Sequence, residues 1–162
     1  MNRFLISTAT IAFFAAASAV NAASMVKDVE VTADLTAIEN PQAATYWATV
    51  ADDVKNAIAA RLTDRIADDG VSIKIDLSEV ELSNSFQEAL NIADTKMVGT
   101  VNVKPQEPGD GGFNSYELTV NINQAMALMP AGTDVSTLSQ DSAEYYSSMV
   151  NAFADGVVSR LE

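Results

Sequence analysis

Residues 47–77 read WATVADDVKNAIAARLTDRIADDGVSIKIDL, and this stretch decides the fold class. From Trp47 to Ile66 apolar side chains recur at steps of three and four, with acidic and amide side chains on the opposite arc, which is typical of an amphipathic helix. From Val71 to Leu77 apolar and polar residues alternate, which indicates a strand with one buried face. The stretch therefore predicts a helix with an apolar stripe wide enough to cover a sheet, followed at once by a strand.

The limits of this helix are predicted from its capping residues. Asn40 suits the N-cap position, and Pro41 suits the first helical position, where a missing N–H group costs nothing. Gly70 can adopt the left-handed conformation that closes a helix end. We therefore expect one helix over residues 41–69.

The strand after Gly70 carries a change of parity. Apolar residues occupy odd positions up to Leu77 and then even positions at Val80 and Leu82. One strand over residues 71–82 with a bulge near Ser78 explains this change, because one extra residue shifts the side-chain register by one. A hairpin turn at Ser78 is the alternative, although its neighbours are poor turn residues.

Period-two alternation predicts three further strands, over residues 27–36, 97–103 and 116–122. The last two should pair as a hairpin whose tip is the glycine-rich segment 105–115. Residues 83–95 suit a connection with at most one helical turn.

A second helix is expected at the C-terminus. Asp141 and Glu144 fit a capping box, and behind them apolar residues fall four apart from Tyr145 to Leu161. The irregular, methionine-containing connection 124–139 precedes this helix. The order strand, helix, three strands, helix predicts an α+β fold, with a mostly antiparallel four-stranded sheet and two amphipathic helices on one face. The other face is expected to be wet; if it is apolar, it is a binding surface that Met126 through Met129 would line or cover.

The N-terminus has the order of a secretory signal peptide. Arg3 supplies a positive charge, residues 4–20 are an apolar run broken only by small hydroxyl residues, and Val20 and Ala22 stand at the −3 and −1 positions. We predict cleavage after Ala22, a single α+β domain over residues 23–162 and no stable membrane insertion after cleavage. An uncleaved anchor is the alternative, at the short end of what spans a membrane.

Composition restricts the compartment and the partners. The chain has no cysteine, which favours a bacterial periplasm or cell exterior over a eukaryotic secretory route and excludes thiolate chemistry. Nine basic and 22 acidic residues give a formal charge of −13, and removal of residues 1–22 takes away only Arg3, so the mature chain carries −14. This charge excludes nucleic acid as a partner and favours solubility or cationic partners.

The sequence predicts no catalytic residue, no cofactor and no metal ligand set. Without histidine or cysteine, serine and cysteine triads and histidine-bound zinc or haem are excluded. The acidic pairs at 52–53 and 68–69 read as solvated helix edges and not as acid/base dyads. Asp110 with Asn114, Ser115 and Glu117 offers hard oxygen ligands to calcium, but a plain hairpin tip is the stronger interpretation.

Four aromatic residues lie on the two predicted helices: Tyr46, Trp47, Tyr145 and Tyr146. Their spacing favours core packing. The alternative is that Tyr46 and one of the C-terminal tyrosines face outward as interface anchors.

The order of elements resembles that of small envelope proteins of Gram-negative bacteria, such as the lipopolysaccharide-assembly lipoprotein and the auxiliary lipoproteins of envelope transport systems. The resemblance rests on the strand 71–82, the segment 94–103 and the strand 116–122 between two amphipathic helices. Those lipoproteins carry a lipidated cysteine where this chain has Ala22, Ala23 and Ser24, so no membrane anchor and no site residue is implied. The resemblance implies a non-enzymatic accessory protein that binds an envelope partner.

We therefore expect an exported, periplasmic or secreted protein that binds another envelope protein through a sheet edge, the open sheet face or the connection 124–139. A binding or sensing module for a small apolar or cationic ligand is the alternative. A hydrolase that uses carboxylates alone ranks last.

Overall fold

A computed structural model describes residues 23–39, 41–78, 81–82, 96–105, 113–133 and 142–161. The elements in chain order are β1 (Val26–Thr32), α1 (Pro41–Tyr46), α2 (Val50–Arg61), β2 (Val71–Leu77), β3 (Lys96–Lys104), β4 (Asn114–Asn121), α3 (Ile122–Met126) and α4 (Ala143–Val158). Short 3₁₀ turns occupy Leu35–Ala37 and Ser159–Leu161. The predicted signal peptide, residues 1–22, lies outside the described residues.

The strands form one sheet in the order β1-β2-β3-β4. β1 and β2 are parallel, because α2 carries the chain back across the sheet between them, and the other two pairs are antiparallel. The predicted α+β fold with a mostly antiparallel sheet is confirmed.

One face of the sheet is apolar and is covered by α2 and α4. The alternating residues of β2, Ile73, Ile75 and Leu77, are buried beneath these helices. Phe153 of α4 reaches the backbone of β3 so closely that a Cβ built on Gly99 would lie 2.9 Å from its ring. Arg61 of α2 pairs with Asp155 of α4, so the two helices lie side by side.

The opposite face of the sheet is polar, as expected. Side chains on neighbouring strands hydrogen-bond across it: Lys74 Nζ to Glu30 Oε1 at 3.1 Å, Ser72 Oγ to Asp28 Oδ2 at 3.0 Å and Ser115 Oγ to Asn102 Oδ1 at 2.9 Å. No described helix packs on this face, which is called the open face below.

The predicted helix over residues 41–69 is wrong in its continuity and its end. A turn at residues 47–49 separates α1 from α2. The backbone hydrogen bonds there join residues three apart, as in Val50 N to Trp47 O at 3.0 Å. α2 ends at Arg61, because the next backbone groups bond β1 instead: Val26 N donates to Arg65 O at 2.7 Å and Ala67 N to Val26 O at 3.0 Å. Periodicity alone does not register this competition between a helix and a strand.

The interpretation of Gly70 as a left-handed helix cap is also wrong. The described residues have one glycine with a positive φ, Gly132, and it is not Gly70. Gly70 instead lies against the backbone at the start of β1, where a Cβ atom would be 2.6 Å from the Val26 carbonyl carbon. Its missing side chain permits a close approach of two backbone segments.

The predicted bulged strand over 71–82 is wrong as well. β2 ends at Leu77, and the parity change marks the start of a helical turn: Leu82 N donates to Ser78 O at 3.0 Å, the spacing of an α-helix. Ser78 N still donates to Val98 O of β3 at 2.8 Å, so the sheet ends one residue later than the strand.

Three other boundaries differ from the prediction. β1 ends at Thr32, because Asp34 caps a 3₁₀ turn by accepting the N–H of Thr36. Segment 124–139 is not wholly irregular, because α3 occupies its beginning under a capping box of Asn121 and Gln124. The N-cap of α4 is Ser142, whose side chain accepts the Tyr145 N–H, and not Asp141.

The β3–β4 hairpin is confirmed by an unbroken antiparallel register, and the C-terminal helix is confirmed as α4. The predicted connection 83–95 and the glycine-rich tip at 106–112 lie outside the described residues.

Candidate functional site

A polar pocket of about 370 Å³ lies on the open face, where β2 ends beside β3 and β4. Asp76, Thr100 and Glu117 face one another in register across the three strands and form one row of its lining. The rest of the lining comes from Leu77, Ser78, Glu81, Lys96, Val98, Gly99 and Thr119. Val98 is an apolar residue on the open face and is only 8 % exposed.

The charges of this pocket are predominantly negative. Three carboxylates, those of Asp76, Glu81 and Glu117, share it with one ammonium group, that of Lys96. Lys96 Nζ lies 3.1 Å from Glu81 Oε2, so the opposite charges of these two side chains neutralise each other. Thr32 Oγ1 donates to Asp76 Oδ1 at 2.9 Å and orients that carboxylate. The excess negative charge, together with the hydroxyls of Ser78, Thr100 and Thr119, suits a cationic group with hydrogen-bond donors.

The described residues show no arrangement of calcium ligands at the hairpin tip. Asp110 lies outside the described residues, and Ser115 Oγ donates to Asn102 within the sheet. Among the described residues no group of three carboxylate, histidine or cysteine side chains is arranged to hold a metal ion.

The four aromatic residues split between core and half-buried positions. Trp47 and Tyr145 are buried, and Trp47 Nε1 donates to Leu82 O at 3.0 Å. Tyr46 and Tyr146 are half-buried and meet edge-to-face, with ring centroids 5.5 Å apart. The core interpretation therefore holds for Trp47 and Tyr145, while the half-buried rings pack against each other and against Trp47.

Tyr146 also joins α4 to α2 through a hydrogen bond. Its hydroxyl donates to Asp53 Oδ2 at 2.6 Å, and Thr49 Oγ1 donates to the same oxygen at 2.8 Å. Burial and this bond raise the pKa of Tyr146 to about 12, so the phenol stays protonated at physiological pH. The solvated-edge interpretation is therefore wrong for Asp53, which links the helices, whereas Asp52 is exposed.

Asp76 and Thr100 were not singled out from the sequence, and Glu117 was considered only as a calcium ligand beside the hairpin tip. Their positions at polar parity in three predicted strands are readable, but which residues face one another depends on the register between strands. That register is not encoded locally.

None of the described helices is long and apolar enough to cross a membrane. No protein-family model, curated protein or solved structure matched the chain.

Proposed function

We propose that this chain is an exported accessory protein of the bacterial cell envelope that acts by non-catalytic binding to another protein through its open face. The observation that carries the proposal is the pocket on that face, with its three carboxylates and one lysine. A basic side chain of the partner would enter this pocket and exchange water for hydrogen bonds to the carboxylates of Asp76 and Glu117.

Charge and size both favour a basic segment of a partner. The volume of about 370 Å³ is at the small end of ligand pockets, and it accommodates a lysine or arginine side chain better than an extended apolar group. A mature chain with a charge of −14 attracts cationic surfaces and repels anionic ones over about one Debye length, roughly 8 Å at physiological salt.

Export and a non-enzymatic role rest on the sequence. The signal-peptide pattern of residues 1–22 supports the envelope location. The absence of histidine and cysteine narrows the chemistry open to the chain, and the resemblance to envelope-assembly lipoproteins points to an accessory role.

The proposal predicts that removing two pocket charges weakens capture of one partner. Cells that carry the C-terminally tagged protein are lightly crosslinked, and the captured proteins are quantified by mass spectrometry. We expect one envelope protein in stoichiometric amount, joined through a peptide that contains lysine or arginine. The double variant Asp76→Asn with Glu117→Gln keeps the side-chain shapes and should lower that yield at least about tenfold, the effect of ~1.4 kcal/mol.

The matched control is Asp28→Asn with Glu30→Gln, which removes the same two charge types from β1 on the same face, outside the pocket. It should leave capture unchanged. Recovery of the tagged chain alone, or an equal loss in both double variants, would contradict binding through the pocket.

A second candidate function follows from the same pocket: binding of a small organic cation. In this case the purified mature chain should melt several degrees higher in 1 mM spermidine, as ligand binding to the folded state predicts. Asp76→Asn with Glu117→Gln should abolish the shift, and Asp28→Asn with Glu30→Gln should keep it. An equal shift in all three proteins would show unspecific screening of the acidic chain.

A further inference from the structure

The two edges of the sheet differ in how they are protected against another strand. β1 carries three charged residues among seven, Lys27, Asp28 and Glu30, and its register with β2 shifts after Val26. Charged side chains and irregular pairing hinder the addition of another strand to the edge of a sheet. β4 pairs regularly with β3 over all eight residues and carries one charge, Glu117. β4 is therefore the edge suited to accept another strand.

Exposed apolar side chains stand at both ends of β4. Phe113, 57 % exposed, precedes the strand, and Met126 and Leu128, 41 % and 43 % exposed, follow it on α3 and the next turn. These are three of the five large apolar residues that are exposed among the described residues. The segment 118–133 carries no charge at all in a chain with 22 acidic residues. This surface, β4 with Phe113, Met126 and Leu128, is called the β4 surface below.

The geometry points to a second copy of this chain on the β4 surface, joined to the first through antiparallel pairing of the two β4 strands. Two chains of charge −14 repel each other, so they can meet closely only where the surface carries few charges. The β4 surface carries one charge, Glu117, whereas self-pairing of β1 would bring the carboxylates of Asp28 and Glu30 together across the interface.

A two-fold axis near Thr119 matches the two ends of the surface. It places Glu117 opposite Asn121 of the second copy, so no carboxylates face each other in the ladder. It also brings the end of β4 that follows Phe113 to the end of the second copy's β4 at which α3 begins, so the exposed Phe113 and the exposed Met126 lie at the same end of the interface. Only an antiparallel arrangement brings these two ends together.

The dimer would join two four-stranded sheets into one sheet of eight strands. Glu117 and Thr119 line the pocket, so the two pockets would lie on one continuous open face, on either side of the axis. This inference deepens the proposed function, because it supplies a two-fold platform for the binding that function requires. Only the role of the dimer as a binding platform rests on the proposed function.

Analytical ultracentrifugation of the purified mature chain tests the dimer at protein concentrations from 1 to 200 µM in 150 mM salt. We expect a mass twice that of one chain at the upper concentrations. Thr119→Glu, an exposed change on the polar side of β4, places acids opposite each other or opposite Glu117 and should raise the dissociation constant at least tenfold. Thr63→Glu adds the same charge at an exposed turn after α2 and should leave it unchanged.

Single-cysteine crosslinking gives a second readout, because the chain contains no cysteine. Thr119→Cys should form a disulfide-linked dimer under mild oxidation, and Thr63→Cys should not. This result stands even if Thr119→Glu fails to fold. The inference would be overturned if the chain remains monomeric at 200 µM. It would also be overturned if the two glutamate variants dimerise equally well, or if the two cysteine variants crosslink equally.

The outcomes also separate this inference from the proposed function. A monomer that still captures a pocket-dependent envelope protein overturns only the dimer. A dimer that captures no partner overturns only the binding role.

Discussion

Alanine in place of Gly70 is expected to destabilise the fold by about 3 kcal/mol, at the upper end of what overpacking costs. The new Cβ atom would lie 2.6 Å from the Val26 carbonyl carbon and 2.7 Å from both Lys27 N and the Met25 carbonyl carbon. All three atoms belong to the backbone, so no side chain can rotate away. Relief would require separating the start of β1 from the start of β2, where Val71 N donates to Met25 O at 2.9 Å.

Urea denaturation followed by circular dichroism measures this loss as a lower transition midpoint with an unchanged slope. Gly156→Ala is the matched control. Its Cβ would meet only the side chain of Leu118 at 3.1 Å and that of Arg160 at 3.7 Å, and alanine is favoured over glycine inside a helix by about 1 kcal/mol. We expect this variant to be close to neutral. Similar losses in the two variants would show that the backbone approach at Gly70 is not the cause.

Trp47→Ala is expected to cost about 4 kcal/mol, the usual range for truncating a buried tryptophan. The indole is 2 % exposed and fills the break between α1 and α2, with its ring 4.7 Å from the Tyr46 ring, centroid to centroid. Truncation would also remove the hydrogen bond that the indole Nε1 donates to the buried Leu82 O at 3.0 Å.

Trp47→Phe separates packing from hydrogen bonding. It keeps most of the ring volume and loses the N–H donor, so we expect a smaller cost of about 1 kcal/mol. Because Trp47 is the single tryptophan of the chain, its fluorescence in the unmodified protein should be that of a buried indole and should shift to the red on unfolding. A loss below 1 kcal/mol for Trp47→Ala would contradict a core position.

The pocket and the β4 surface illustrate why a site is harder to predict than a fold. The parity of β2 and β4 already separates Asp76 and Glu117 from the apolar face. Whether they lie near each other depends on the strand order and on two registers, which are set by long-range packing. In the same way, the sequence shows an uncharged segment at 118–133 but not that it begins on an edge strand.

The predicted helix boundaries are wrong where tertiary contacts outweigh the local preference of the sequence for a helix. The apolar periodicity of residues 47–66 is real, but Trp47 turns inward at a break in the helix, and the chain at Arg65 and Ala67 exchanges backbone bonds with Val26. A strand about 40 residues away in sequence thus ends the helix early.

Local patterns by themselves determined the fold class, the order of the main elements, the buried faces of α2 and α4 and the wet face of the sheet. They did so because helix and strand periods, caps and alternation are properties of neighbouring residues. Only the tertiary structure decided that β1 and β2 are parallel neighbours, that Gly70 serves a close backbone approach and that Asp76, Thr100 and Glu117 form one row. These features depend on contacts between segments that are distant in sequence. The packing of the whole core stabilises those contacts, so no single stretch of the sequence predicts them.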